Sequence, residues 1–218
     1  MSEQPFRVEI DKLRADTRAR AHTLIRGAVP SVAPAVAISV WQAGAPWFEA
    51  YAGWIDPETE TTPVGFRSLF DLASVSKIFT ATALLRLAND FKLDLDDPVS
   101  KLLPEFAEGG PRGVDGGVDP LAWERLPTPS GREDWEVDPE RVTWRRVLTH
   151  SSGLAPWHMV FRESGPVPPP PDQPDVVRVE ERWEAALQAI SGYRFVARPG
   201  EEYHYSDIGF MLAGMAVA

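Results

Sequence analysis

The chain has 218 residues, of which 44% are hydrophobic and 10% aromatic, so it can bury a substantial core and is not disordered throughout. Its formal net charge of −10 repels phosphate backbones and anionic membrane surfaces, so we expect no nucleic-acid partner. The absence of cysteine excludes disulfides, thiolate metal sites and a cysteine nucleophile, so any nucleophile must be an oxygen or an amine.

The start of the chain gives no sign of secretion. Its first twenty residues carry many charges and lack the apolar run of a signal peptide. No stretch of the sequence reaches the roughly 18 apolar residues of a membrane span. We therefore expect a cytoplasmic protein with no membrane partner.

The first predicted elements are a helix and a β-hairpin. Apolar residues recur at helical spacing among arginines from 11 to 26, which predicts an amphipathic helix. This helix and its lead-in occupy residues 1–33. Mostly apolar runs at 35–41 and 46–51 flank a glycine-containing turn, which predicts a hairpin.

The next segments alternate between apolar helices and irregular chain. Residues 74–88 predict a helix that is apolar enough to lie buried, with Ile78, Leu84 and Leu85 among its inward residues. Segments 107–141 and 163–179 show no sustained period and predict two surface insertions. Helices are expected at 180–190 and from 208 onward. Because the last helix reaches Ala218 without a cap, we expect residues 1–218 to form one incomplete domain whose missing piece is C-terminal.

Ser74 and Lys77 form an S-x-x-K pattern at the start of the 74–88 helix. The spacing of three residues places the hydroxyl and the amine on one face, one turn apart. Burial in an apolar helix would lower the pKa of Lys77 toward that of a neutral base able to activate a serine. An N-cap serine followed by a surface lysine explains the same two residues equally well.

Two further segments carry polar groups at the edges of helices. Tyr205 and Ser206 precede the last apolar helix, where a tyrosine could share a proton with Lys77; a core tyrosine before a Ser/Asp cap is the structural alternative. His150 lies in THSSGL at the end of a short helix. A general base there is conceivable, but adjacent residues rarely face one another productively, so we favour a structural turn with His150 hydrogen-bonded inside it.

No cofactor or metal is predicted. The histidines lack metal-ligand spacing, and H-E-x-x-H is absent. Neither G-x-G-x-x-G nor a P-loop pattern occurs, so nucleotide cofactors have no support.

Four segments in sequence order resemble the serine β-lactamase and penicillin-binding-protein-like hydrolases, in the branch of class C β-lactamases, D-alanyl-D-alanine carboxypeptidases and esterases. They are FDLASVSK at 70–77, LDLDDPV at 93–99, LTHSSGL at 148–154 and PGEEYHYSDIG at 199–209. The resemblance covers 34–218 apart from the two insertions. It implies an α/β (α+β) domain of the β-lactamase/transpeptidase-like fold, truncated so that C-terminal strands of its central antiparallel sheet are missing.

The resemblance also implies a role for each site residue. Ser74 is the acylated nucleophile, Lys77 its activating partner, and Tyr205 the proton-shuttling tyrosine of a Y-x-N motif. Ser206 and His150 support the site from a second layer. Asp207 stands where β-lactamases of this branch carry Asn, and a carboxylate cannot donate the amide hydrogen bond that a β-lactam side chain accepts.

The predicted function is therefore a serine hydrolase of the esterase or peptidase type, acting on a small ester, amide or β-lactam through an acyl-enzyme. The family's third motif, K-T-G or H-x-G on a strand that supplies an oxyanion donor, has no counterpart in the sequence. One alternative is thus a non-catalytic fragment or pseudoenzyme that serves only as a binding module. A true β-lactamase is the further alternative.

Overall fold

The computed structural model describes residues 4–170 and 173–218, with side chains from residue 14 onward. Two compact units divide the chain, Met1–Asp71 and Leu72–Ala218. In the described residues the longer elements are helices α1 (Gln4–Ala28), α2 (Ser76–Asn89), α5 (Val179–Gly192) and α6 (Asp207–Val217), and strands β1 (Ala35–Gln42) and β2 (Ala45–Gly53). The shorter ones are β3 (Arg112–Gly113), β4 (Glu136–Val137), α3 (Trp144–Leu148) and α4 (Val160–Glu163).

The first unit is a helix packed on a hairpin. Strands β1 and β2 pair antiparallel from Ala35 opposite Gly53 to Gln42 opposite Ala45, with an irregularity between Val40 and Trp41. The described part of α1 contributes Ile25 to a small core with Phe48 and Ala50 of β2. The predicted hairpin and first helix are both present, and the helix is longer than predicted.

The second unit holds the main core, built where α2, α3, α5 and α6 bring their apolar faces together. Leu84 of α2, Trp144 of α3, Ile190 of α5 and Leu212 of α6 are all fully buried in it. Helix α6 is the most apolar of these elements and packs on both α2 and α3. Its N-terminus is thereby fixed beside the start of α2.

The segment 107–141 differs from a purely surface insertion. It pairs β3 with β4 and buries Val114, Val118 and Val137. Single apolar residues separated by irregular chain produce no period, so sequence patterning does not reveal them. The described part of 163–179 is largely exposed and irregular, and residues 171 and 172 of it lie outside the described residues.

Helix α2 also differs from its prediction. Ile78 and Leu85, predicted to face inward, are 65% and 48% exposed, whereas Leu84, which the same prediction placed inward, is fully buried. The helix is apolar around most of its circumference, so the sequence pattern does not select the buried face. In the part of the chain that the structure describes, no helix is long and apolar enough to cross a membrane.

Candidate active site

The proposed nucleophile lies on a tight turn that leads into α2. Residues Ala73–Val75 form a single 3₁₀ turn, and Ala73 adopts the left-handed region with φ +43°. The helix proper begins at Ser76, two residues later than predicted. Lys77, one turn beyond Ser74, donates a hydrogen bond from Nζ to Ser74 Oγ at 3.2 Å. The contact expected from the S-x-x-K spacing is therefore formed.

Tyr205 approaches this pair from the segment that precedes α6. Lys77 Nζ lies 4.9 Å from the centroid of the Tyr205 ring, which is 43% exposed. Hydrogen bonds with Ser74 and then with Lys77 lower the pKa of the Tyr205 hydroxyl below its usual range, because both stabilise the phenolate. The tyrosine is thus placed to exchange a proton with either side chain.

Asp207, the first residue of α6, forms an ion pair with the lysine. Its Oδ1 lies 2.6 Å from Lys77 Nζ, and the two side chains are 35% and 16% exposed. Burial alone lowers the pKa of Lys77, but its hydrogen bonds to Asp207 and Tyr205 and their negative charges outweigh burial and raise it. The expectation of a neutral Lys77 is therefore wrong for the resting site. The lysine is an ammonium there.

Ser206 and His150 lie immediately behind these groups. Ser206 is 1% exposed and caps α6: its Oγ donates to Ala155 O at 2.7 Å and accepts from Gly209 N at 3.1 Å. The Ser206 N–H donates to His150 Nδ1 at 3.0 Å. Neither side chain reaches Ser74, and both instead fix the backbone around Tyr205. The structure thus brings Ser74, Lys77, Tyr205 and Asp207 into contact and places Ser206 and His150 as their support.

An open cleft of about 350 Å³ runs along the start of α2, lined in part by Ser74, Lys77 and Asp207 and on its apolar side by Phe210 and Met211. Sequence reasoning missed Phe210, whose ring lies 5.9 Å from Lys77 Nζ. The signal was its position one turn after Asp207 in an otherwise aliphatic helix. A larger cavity of about 530 Å³ lies at the other end of α2, around Leu93 and Trp144, away from Ser74.

The site contains no arrangement that would hold a metal ion. Among the described residues, no group of three or more His, Asp or Glu side chains converges as metal ligands would. The Lys77 ammonium donates a hydrogen bond to Ser74 Oγ and forms an ion pair with Asp207. The chemistry open to this set is proton transfer and nucleophilic attack.

The fold is of the β-lactamase/transpeptidase type. The structure of EstCE1, a hydrolase with promiscuous acyltransferase activity, matches 95% of this chain with a TM-score of 0.59 and 21% identity. A class C β-lactamase matches 95% of the chain with a TM-score of 0.58 and 20% identity. The chain corresponds to 48% and 43% of those two proteins, respectively.

The chain belongs to the β-lactamase family, whose sequence model matches residues 23–218. The family expected from the four sequence segments is thereby confirmed. A curated relative, protein flp of Staphylococcus aureus, is 24% identical over 163 residues, which are 75% of this chain and 25% of flp. The chain therefore spans about a quarter of that relative's length and less than half of the solved structures it resembles.

Proposed function

We propose that the chain carries the acylation site of a serine hydrolase, with Ser74 as nucleophile and with Lys77 and Tyr205 as its proton-transfer partners. The observation that carries this proposal is their convergence: Lys77 Nζ is 3.2 Å from Ser74 Oγ and 4.9 Å from the centroid of the Tyr205 ring. A serine hydroxyl is a weak nucleophile by itself and needs such a partner to accept its proton.

The chemical step follows from the charges of the resting site. Ser74 Oγ attacks the substrate's carbonyl carbon and passes its proton to Tyr205, whose phenolate form is stabilised by the Lys77 ammonium. The tetrahedral intermediate collapses when the leaving group takes that proton and departs, which leaves an ester between Ser74 and the acyl group. Water then attacks this ester by the reverse proton path and releases the acid and the serine.

The oxyanion of the intermediate needs donors aimed at it. The Ser74 backbone N–H supplies one, and family resemblance assigns the second to the strand that carries the K-T-G or H-x-G motif. Loss of one such donor costs a factor of about 100 to 1000 in rate. We therefore expect Ser74 in these 218 residues alone to be acylated faster by activated probes than by ordinary substrates. We expect turnover to rise when a segment that supplies the second donor is added.

Esters are the substrate class that fits the site best. Asp207 presents a carboxylate to the cleft, and this group accepts hydrogen bonds but cannot donate one to the amide of a β-lactam side chain. The apolar side of the cleft, formed by Phe210 and Met211, suits a short acyl or aryl group. Short-chain aryl esters should therefore react faster than cephalosporins.

A serine-directed fluorophosphonate probe tests the nucleophile directly. Ser74→Ala should abolish covalent labelling, whereas Ser76→Ala should keep most of it, because the hydrogen bond from Lys77 Nζ goes to Ser74 Oγ. Peptide mapping of the labelled chain should find the adduct on the peptide that contains Ser74. Equal loss in the two variants, or a folded wild-type chain that no acylating probe labels, would favour the non-catalytic alternative.

A further inference from the structure

His150 holds the backbone on both sides of Tyr205. Its carbonyl oxygen accepts the His204 N–H at 2.8 Å, and its Nδ1 accepts the Ser206 N–H at 3.0 Å. These two hydrogen bonds bracket the tyrosine at positions 204 and 206. The backbone of Tyr205 is therefore fixed from a single residue that lies far away in the chain.

The imidazole also contacts the tyrosine ring itself. The ring centroids of His150 and Tyr205 are 4.4 Å apart with an interplanar angle of 33°, and Phe210 lies 5.1 Å away on the same imidazole. Tyr203 meets it edge-on at 5.8 Å. His150 itself adopts the left-handed region, with φ +54°, which non-glycine residues rarely do. The imidazole of His150 is thus placed by a strained backbone and by contacts with three aromatic rings.

The hydrogen bond from Ser206 requires a neutral imidazole. Nδ1 must present its lone pair to the Ser206 N–H, so the ring proton of His150 is on Nε2. Burial, and then the positive charge of Lys77, lower the pKa of His150, while the negative charge of Asp207 opposes them. The titratable groups that face the ring are therefore Lys77, Asp207, Tyr203 and Tyr205. At neutral pH the ring is uncharged and accepts the bond.

We propose that neutral His150 is a positioning residue that holds Tyr205 against Ser74 and Lys77, and that a proton on its Nδ1 releases the tyrosine. This inference rests on the proposed function, because Tyr205 matters to it as the proton acceptor of Ser74. Protonation fills the Nδ1 lone pair and turns an acceptor into a donor that points at another N–H. It also places a second cation beside Lys77. Both changes oppose the geometry that fixes residues 204–206.

The wild-type chain provides the first test. The sequence contains four tyrosines, so a ¹³Cζ-tyrosine spectrum is simple, and Tyr205→Phe identifies the Tyr205 signal. As pH falls, the Tyr205 signal should shift in step with the ¹⁵N signals that report protonation of His150. In Asp207→Asn the same step should persist, which separates it from titration of the aspartate. A Tyr205 signal that does not respond when His150 titrates would overturn the proposal.

Two variants distinguish the role of the hydrogen-bond acceptor of His150 from the role of its aromatic ring. His150→Asn keeps an acceptor near the position of Nδ1, tolerates the left-handed backbone and does not titrate. This variant should therefore retain most of the labelling of Ser74. Its labelling rate should not show the fall at low pH that protonation of His150 causes in the wild type. His150→Phe keeps a ring but offers no acceptor. Its labelling rate should fall by about a hundredfold, because displacement of a proton acceptor by 1 Å has effects of that size. The pKa of Tyr205 should return toward its ordinary value in this variant.

His158→Asn is the matched control. His158 is buried and stacks on a tyrosine, Tyr193, at 3.8 Å, and burial lowers its pKa as it does that of His150. Its replacement should leave the Tyr205 signal and its pH dependence unchanged. Equal effects of the His158 and His150 variants would show general loss of packing and would contradict the positioning role. A coupled titration in a chain that no probe labels would sustain the His150 inference while the proposed function fails.

Discussion

Asp207 keeps Lys77, the lysine beside Ser74, positively charged. Its carboxylate lies 2.6 Å from Lys77 Nζ and, with Tyr205, keeps the pKa of Lys77 above its ordinary value in spite of burial. The same negative charge raises the pKa of Tyr205, in opposition to the larger effects of Ser74 and Lys77. The aspartate therefore raises the pKa of both Lys77 and Tyr205.

Asp207→Asn should move the pH profile of Ser74 labelling toward lower pH. Removal of the carboxylate leaves burial as the main influence on Lys77, so its pKa falls, and the pKa of Tyr205 falls as well. At mildly acidic pH the variant should react several-fold faster than the wild type with a fluorophosphonate. The rate constant of labelling, measured across pH, checks this.

Asp96→Asn serves as the control for that profile. Asp96 is likewise paired with a cation, Arg145, at 2.7 Å, but it lies on the exposed surface and away from the site. Its replacement should leave the profile unchanged. An unshifted profile in the Asp207 variant would mean that this carboxylate does not govern the proton transfer. If Asp207→Asn has the same ratio of ester to cephalosporin reactivity as the wild type, the argument for ester specificity fails.

At the scale of elements, the turn that ends α3 depends on a glycine. Gly153 has φ +75°, and a Cβ there would lie 2.2 Å from the carbonyl oxygen of Ala197. The Gly153 carbonyl also accepts the Val196 N–H at 2.8 Å. This close approach ties the turn that carries His150 to the strand-like segment before the tyrosine.

Gly153→Ala should destabilise the chain by about 2 kcal/mol or more, because it combines backbone strain with a collision against main chain. Gly110→Ala is a matched control, since Gly110 has a similar φ of +69° and open space around its would-be Cβ. Gly110→Ala should lower the free energy of unfolding by only about 1 kcal/mol, which is the cost of the backbone strain. Urea unfolding of the two variants measures the difference, and equal losses would contradict the role of the close approach.

The elements and contacts that local pattern determines were predictable from the sequence. Helix α6 begins one residue from its predicted start, and the contact of Ser74 with Lys77 follows from helical spacing. The protonation of Lys77 was not predictable, because it depends on how deeply the amine lies and how closely Asp207 approaches. The two hydrogen bonds that His150 accepts were not predictable either, since they join a turn to a segment over fifty residues away. The catalytic roles of these residues stay predictions.

At the scale of the whole molecule, one face of α2 is apolar and exposed. Val75, Ile78, Phe79 and Leu85 lie along it and are 51%, 65%, 64% and 48% exposed. Their spacing of three, four and seven residues places them on one stripe of the turn and helix. A continuous apolar stripe on a surface marks a site of association or aggregation.

Replacement of Ile78 and Phe79 by Gln should reduce the binding of a hydrophobic fluorescent dye several-fold without loss of helix content. Glutamine is a good helix former, so circular dichroism should not change. The control replaces two other exposed apolar residues, Leu121 and Val167, which are 93% and 83% exposed and lie outside the stripe. It should leave most dye binding intact. Equal reductions in the two double variants would show that the stripe is not a distinct surface.

The position of Asp207 at the first residue of α6 has a dynamic consequence. Helix ends open at a lower free energy than the whole molecule needs to unfold. Because Tyr205, Ser206 and Asp207 adjoin one another at this end, a single local opening would carry all three away from Ser74 and Lys77 while the core of the unit stays intact. Such openings occur within microseconds to seconds. The chain can therefore separate these three side chains from Ser74 and Lys77 and bring them back reversibly, without unfolding its core.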